Sequence, residues 1–256
     1  MIKQYIRYLF KAGNEHDLHS PFVYNFYLDF LKNDIENQKF VPIETLRKQL
    51  KKDKSEFEIE DFGAGGQIEK FKKRKISAIA KKSLKAPKFA RLMFRIIGHF
   101  KPKIILDLGT SFGITTAYLA TANPEATVYS FEGCLNTAKI AGNNFEKLGL
   151  KNINIKTGNI DKTLPEIVSS LEKVDFAFFD ANHRLKPTMN YFEICLTKTH
   201  SKSILIFDDI YWSDEMQEAW RQIKADDRVG ITIDLFFIGI VFLRKEQAKQ
   251  NFVLKY

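Results

Sequence analysis

The sequence predicts an α/β protein in which a doubly wound, mostly parallel sheet carries an antiparallel hairpin at its C-terminal end and a helical extension at its N-terminal end. Three observations lead there. Apolar β-type runs at 103–108, 127–131, 152–156, 174–179 and 203–207 alternate with helix-type segments, the pattern of parallel strands joined by crossover helices. The runs 230–237 and 238–244 follow one another with almost nothing between them, so they should pair antiparallel. A chain of 256 residues with 45% hydrophobic content is long enough to bury one large core and still carry an extension.

Taken in order, the first element sets Ile2, Tyr5, Ile6, Leu9 and Phe10 at helical spacing beside Lys3, Arg7 and Lys11, an amphipathic helix. Docking on the core is favoured over contact with a membrane surface, because the helix is short for an autonomous membrane binder. Ser20 before Pro21 marks the start of an aromatic-rich helix through Phe22, Tyr24, Phe26, Tyr27 and Phe30. His16 and His19 lack further ligands nearby and are read as capping or hydrogen-bonding residues. Residues 51–75 turn charged, with Asp61-Phe62-Gly63-Ala64-Gly65-Gly66 ahead of Lys70, Lys72, Lys73, Arg74 and Lys75. That stretch reads either as a linker or as a lid closing on glycine hinges. The expected division is therefore a helical extension with a Gly/Lys-rich lid over residues 1–84 and a single α/β domain over residues 85–256.

Composition narrows the classes of function. Lys and Arg number 40 against 31 Asp and Glu, a net +9, and much of the excess lies in 47–88. Such a charge attracts nucleic acid, anionic lipid or an acidic substrate. Cys134 and Cys195 belong to no CxxC or Cys/His cluster, which argues against zinc and redox chemistry. No apolar run approaches the roughly 18 residues of a membrane span, and the N-terminus lacks a signal-peptide pattern. The expectation is a cytoplasmic protein without a membrane span.

The sharpest local signal is Ile104-Ile105-Leu106-Asp107-Leu108-Gly109-Thr110-Ser111-Phe112-Gly113. A buried strand there ends in an acid and a glycine turn that opens a helix, and the glycines let a ligand approach the backbone. The spacing is not that of a phosphate-binding GKS or GKT loop, and Ser111 stands where G-x-G-x-x-G needs its second glycine. At the end of the next strand, Phe131-Glu132-Gly133 places a carboxylate about twenty residues downstream, where its two oxygens can grip both hydroxyls of a ribose. Either acid alone would read as a helix cap or a loop acid. Together they point to a ribose-bearing ligand.

With these residues in view, the stretch 85–244 resembles the class I S-adenosylmethionine-dependent methyltransferases. The resemblance implies a Rossmann-like, seven-stranded sheet with its last strand antiparallel, in agreement with the C-terminal hairpin read independently. It implies that Asp107, Gly109, Thr110, Ser111, Gly113, Glu132 and Gly133 surround S-adenosylmethionine. Asn159, in Gly158-Asn159-Ile160, falls where the family contacts adenine, and Ala86-Pro87-Lys88-Phe89 falls where a segment closes over the donor.

Two later segments, Val174-Asp175-Phe176-Ala177-Phe178-Phe179-Asp180-Ala181-Asn182-His183 and Ile204-Leu205-Ile206-Phe207-Asp208-Asp209, are similar to the cation-dependent O-methyltransferases of the catechol and caffeoyl-CoA type. That similarity implies metal ligands at Asp180, Asp208 and Asp209, with Asp180 also beside the donor and in the catalytic group. The chemistry agrees. Three carboxylates at the ends of neighbouring strands need a cation between them, and oxygen-only ligands select a hard divalent ion, Mg²⁺ first. The ion would hold an acceptor hydroxyl and lower its pKa. His183 stands where these enzymes carry a proton-accepting lysine, and a histidine, with its ordinary pKa near ~6.5, can serve as a base at neutral pH. Tyr211, Trp212 and Trp220 suit an aromatic wall for a flat substrate; Trp220 also shares helical spacing with Met216, Ala219 and Ile223, so core packing is at least as good a reading for it, and Tyr211 and Trp212 are the better pocket candidates.

The expected activity is methyl transfer to a small molecule with a hydroxyl group, by a chain that could be a homodimer as related enzymes often are. Three other readings stand beside it. One is tRNA modification, with Lys70–Lys75 and Lys81–Lys85 gripping phosphates. Another is a NAD-type oxidoreductase on the same fold, against which Ser111 speaks. The third is a binding protein without catalysis.

Overall fold

In the computed structural model, residues 2–33, 37–62, 68–244 and 248–256 are described. The chain forms two compact units, one made of Met1–Asn33 with Val168–Tyr256 and the other of Asp34–Ile167. No helix among the described residues is long and apolar enough to cross a membrane.

The first unit begins with α1 (Ile2–Lys11) and α2 (Pro21–Phe26). Helix α1 docks, but only through Tyr8, its one buried side chain. The Tyr8 hydroxyl donates to the Leu254 carbonyl, and its ring packs with Ala12 and Phe236. The rest of its apolar face stays outside. Ser20 caps α2 and Pro21 occupies its first turn, as the sequence indicates, and Phe22 and Phe26 meet the Phe242 ring edge-on at 5.0 and 5.4 Å.

The second unit begins with α3 (Phe40–Lys52), whose Phe40, Ile43, Leu46 and Leu50 are buried at helical spacing. Between α3 and α4 (Ile76–Ser83) lie β1 (Glu56–Phe62) and β2 (Ile68–Lys75), an antiparallel hairpin. This departs from a disordered linker, one of the two readings of that stretch. The register sets Glu56 opposite Lys75 and Glu58 opposite Lys73, and opposed charges of this kind stabilise strand pairing. Gly63, Gly65 and Gly66, the hinges of the expected lid, lie outside the described residues.

After α5 (Pro87–Phe100) the parallel strands begin: β3 (Ile104–Leu108), β4 (Thr127–Glu132) and β5 (Ile153–Thr157), separated by α6 (Ile114–Ala122) and α7 (Leu135–Lys147). Helix α8 (Ile160–Ser170) follows. Strand β3 is apolar and almost wholly buried, as a strand covered on both faces must be.

Back in the first unit, β6 (Phe176–Phe179) and β7 (Ile204–Asp208) are parallel neighbours joined through α9 (Leu185–Leu196). After α10 (Asp214–Ala225), β8 (Ile231–Asp234) and β9 (Ile238–Phe242) form the expected hairpin, with β9 antiparallel to β7. The turn is tight. Phe236 adopts a positive φ of 68°, and its N–H is held by the Asp234 carboxylate. A further strand, β10 (Gln250–Val253), pairs parallel with β8, so among the described residues eight strands follow α5 where seven were expected. Gly13 and Lys255 then lace the N-terminal segment to the end of β10 through Gly13 N–H to Val253 carbonyl and Lys255 N–H to Gly13 carbonyl bonds of 2.9 and 3.1 Å.

Candidate functional site

In the unit Asp34–Ile167, the loop between β3 and α6 is shaped by positive φ angles at Gly109 (115°), Ser111 (48°) and Gly113 (80°). At Gly113 a Cβ would sit 2.4 Å from the Phe145 ring, so only glycine fits. The Gly109 and Thr110 N–H groups both donate to the Phe131 carbonyl, at 3.1 and 3.0 Å, tying the loop to the end of β4.

Glu132 completes the tie. Its Oε2 accepts from the Ser111 N–H at 2.8 Å and its Oε1 from the Cys134 N–H at 3.0 Å, so one carboxylate holds the loop after β3 and the start of α7. Burial raises its pKa, and bonds from Cys134, Ser111 and Gly133 partly oppose the rise. The two oxygens offer about four acceptor sites in all, so backbone bonds leave room for a ligand hydroxyl. The Glu132 carbonyl accepts from Gly158 N–H at 2.9 Å, which draws the loop after β5 to the same strand end. Asn159 there caps α8, its Oδ1 accepting from Asp161 N–H at 2.9 Å.

Asp107 lies deeper than its motif suggests, fully buried beneath the loop. Its Oδ2 accepts from the Thr116 and Ser130 hydroxyls at 2.5 and 2.7 Å, and Ser130 meets the Thr110 hydroxyl at 2.6 Å. Oδ1 is buried with no hydrogen-bond partner among the described residues. Burial accordingly raises its pKa to about 6, against the opposing effect of the two hydroxyls. Sequence reasoning missed Thr116 and Ser130; a hydroxyl in the first turn of α6 and one inside a buried strand were the available signals.

An unfolded Asp107 releases its proton near pH 4 and a folded one near pH 6, so this residue costs stability as pH rises through that window. About two pKa units correspond to roughly 3 kcal/mol. Thermal melts of the wild type and Asp107→Asn should therefore converge toward the asparagine variant's favour between pH 4 and pH 7. A difference independent of pH would show that Asp107 is already ionised at pH 4.

In the other unit, Asp180 follows β6, Asp208 ends β7 and is buried, and Asp209 takes a positive φ of 53° with its N–H donating to the Phe237 carbonyl at 2.7 Å. His183 Nε2 stands 3.5 Å from Asp180 Oδ1. Burial pulls the imidazole pKa down, but the Asp180 contact and the charges of Asp180, Asp209 and Asp208 outweigh it, and the net shift is upward. The three carboxylates thus act on one histidine. Among the described residues no three His, Cys, Asp or Glu side chains are gathered as a metal ion requires.

Of the aromatic residues singled out, Trp220 is buried, packs where a Cβ on Gly239 would lie 2.6 Å away, and donates to Asp234 at 3.1 Å. It is a core residue. Tyr211 donates to the same carboxylate at 2.8 Å and stacks on Phe236 with ring centres 4.9 Å apart, while Trp212 is exposed.

Residues 106–210 match a family model described as a methyltransferase domain. Among solved structures, an O-methyltransferase from Bacillus cereus in complex with S-adenosylhomocysteine is 18% identical, with 86% of this chain and 96% of that one covered at a TM-score of 0.59. The S-adenosylhomocysteine-bound methyltransferase PaMTH1 from Podospora anserina is 13% identical over 88% and 96%, with a TM-score of 0.60. The O-methyltransferase TomG from Streptomyces achromogenes, in complex with S-adenosylmethionine, is 16% identical over 63% and 82%, with a TM-score of 0.55. No curated protein matches the chain in sequence. The fold is that of these enzymes, and residues 106–210 within it match the methyltransferase domain.

Proposed function

We propose that the protein transfers a methyl group from S-adenosylmethionine to the oxygen of a small hydroxylated acceptor, with His183 as the proton acceptor. The observation that carries this reading is His183 set against Asp180 under the field of Asp208 and Asp209. The names of the similar structures, O-methyltransferases among them, support the choice of oxygen.

Glu132 supplies carboxylate oxygens for the ribose of the donor, and Gly109 and Gly113, without side chains, leave the loop backbone open to its approach; Asp107 positions that loop through Ser130 and Thr110. Asn159 lies on the loop that β4 draws in, for the adenine. Bound S-adenosylmethionine supplies a methyl group already activated on a sulfonium, so the protein's share is largely positioning. With His183 Nε2–H directed at the Asp180 carboxylate, Nδ1 is the atom that takes the acceptor proton as its oxygen forms the new bond.

A divalent cation on Asp180, Asp208 and Asp209 is the second reading. Their common action on His183 and their all-oxygen chemistry favour it. As arranged, however, these side chains do not gather around one point, and no step above depends on an ion. The tRNA reading is weakened in the hairpin, where Lys73 and Lys75 stand in register with Glu58 and Glu56.

Calorimetric titration with S-adenosylmethionine and S-adenosylhomocysteine, with and without Mg²⁺ and with NAD⁺ as control, tests the whole assignment. Donor binding indifferent to Mg²⁺ is expected. Binding that tightens with Mg²⁺ moves the mechanism to the cation, and binding of NAD⁺ alone rejects methyl transfer.

A further inference from the structure

Helix α1 leaves an apolar stripe uncovered. Ile2 is 80% exposed, Phe10 88%, Ile6 49% and Leu9 46%, although Tyr8 anchors the helix firmly on the opposite side. At 3.6 residues per turn, Leu9, Ile2, Ile6 and Phe10 succeed one another around the axis, and Lys3, Arg7 and Lys11 come next. No acidic residue occurs in the helix. The stripe continues onto the β8–β9 turn, where Phe237 is 41% exposed and lies 6.2 Å from Tyr5, ring centre to ring centre.

We propose that this face binds the surface of an anionic membrane, with α1 lying in the plane of the interface. An apolar stripe bordered by basic residues is the arrangement that inserts side chains among acyl chains while lysine and arginine meet lipid phosphates. A second copy of the chain would bring an equally basic, acid-free helix against the first, and like charges oppose that contact. The short length that argues against autonomous binding is offset by the anchor, since α1 is folded before it meets lipid and the ordering cost is already met. The Phe237 carbonyl also holds the Asp209 N–H, so the patch borders the loop that carries the candidate acceptor chemistry. The inference rests on exposure and charge and is independent of the reaction proposed above.

Cosedimentation of the full chain with vesicles of phosphatidylcholine containing about a quarter phosphatidylglycerol tests it. Wild-type protein should sediment with these vesicles, weaken in high salt, and bind pure phosphatidylcholine vesicles far less. The double substitution Ile6→Asp, Phe10→Asp, at exposed positions, should keep its thermal melt and lose at least about tenfold in partitioning, and Arg7→Glu should lose severalfold. No wild-type binding, equal binding to neutral vesicles, or binding unchanged by these substitutions overturns the proposal. So does a lipid-free dimer, measured by light scattering, that the same substitutions dissociate.

Discussion

Glu132→Ala should weaken the binding of S-adenosylmethionine and S-adenosylhomocysteine by roughly a hundredfold, about the loss of two hydrogen bonds to a charged acceptor. The same carboxylate accepts from Ser111 and Cys134 N–H groups, so the variant also loses about 1–3 kcal/mol of stability from donors left unsatisfied. Calorimetry well below both melting temperatures separates the two effects. Glu132→Gln sharpens the test, because it retains one acceptor oxygen and most of the shape while giving up the charge. An affinity unchanged in both variants would remove the ribose assignment and reduce Glu132 to a clasp between loops.

His183→Ala should lower kcat by about 10² to 10⁴ while donor affinity stays where it was. The pH profile supplies the sign. A base works deprotonated, and the neighbouring carboxylates hold this imidazole above its ordinary value, so the rate should fall as pH drops through that raised pKa. Asp180→Asn removes the nearest charge and lowers the imidazole pKa, which moves the acid limb of the profile to lower pH. A His183→Ala enzyme with full activity, or one whose remaining rate follows Mg²⁺ concentration, would assign the proton to another acceptor or to a cation.

Much of the fold was legible because burial leaves a local record. The runs that became β3, β6 and β7 are apolar since both their faces are covered, and the tail that became β8 and β9 left too little chain for anything but a hairpin. The glycine loop was legible for a similar reason: φ angles of 115° at Gly109 and 80° at Gly113 exclude most residues locally. The β1–β2 hairpin was not, because its strands are so charged that they read as solvated chain until Glu56 and Glu58 are seen opposite Lys75 and Lys73.

By itself, then, the sequence determined most of the element types, the glycine loop after β3 and the acids at the strand ends, all of which depend on residues close together in the chain. Only the tertiary structure decided that Asp107 is sealed beneath the loop with Ser130, that Trp220 lies in the core against Gly239, that β10 joins β8, and that α1 is anchored by Tyr8 with its other apolar face outward. Amphipathic spacing shows that a helix has an apolar side, but which part of it is covered depends on partners as distant as Leu254, and contacts between residues far apart in sequence leave no local pattern to read.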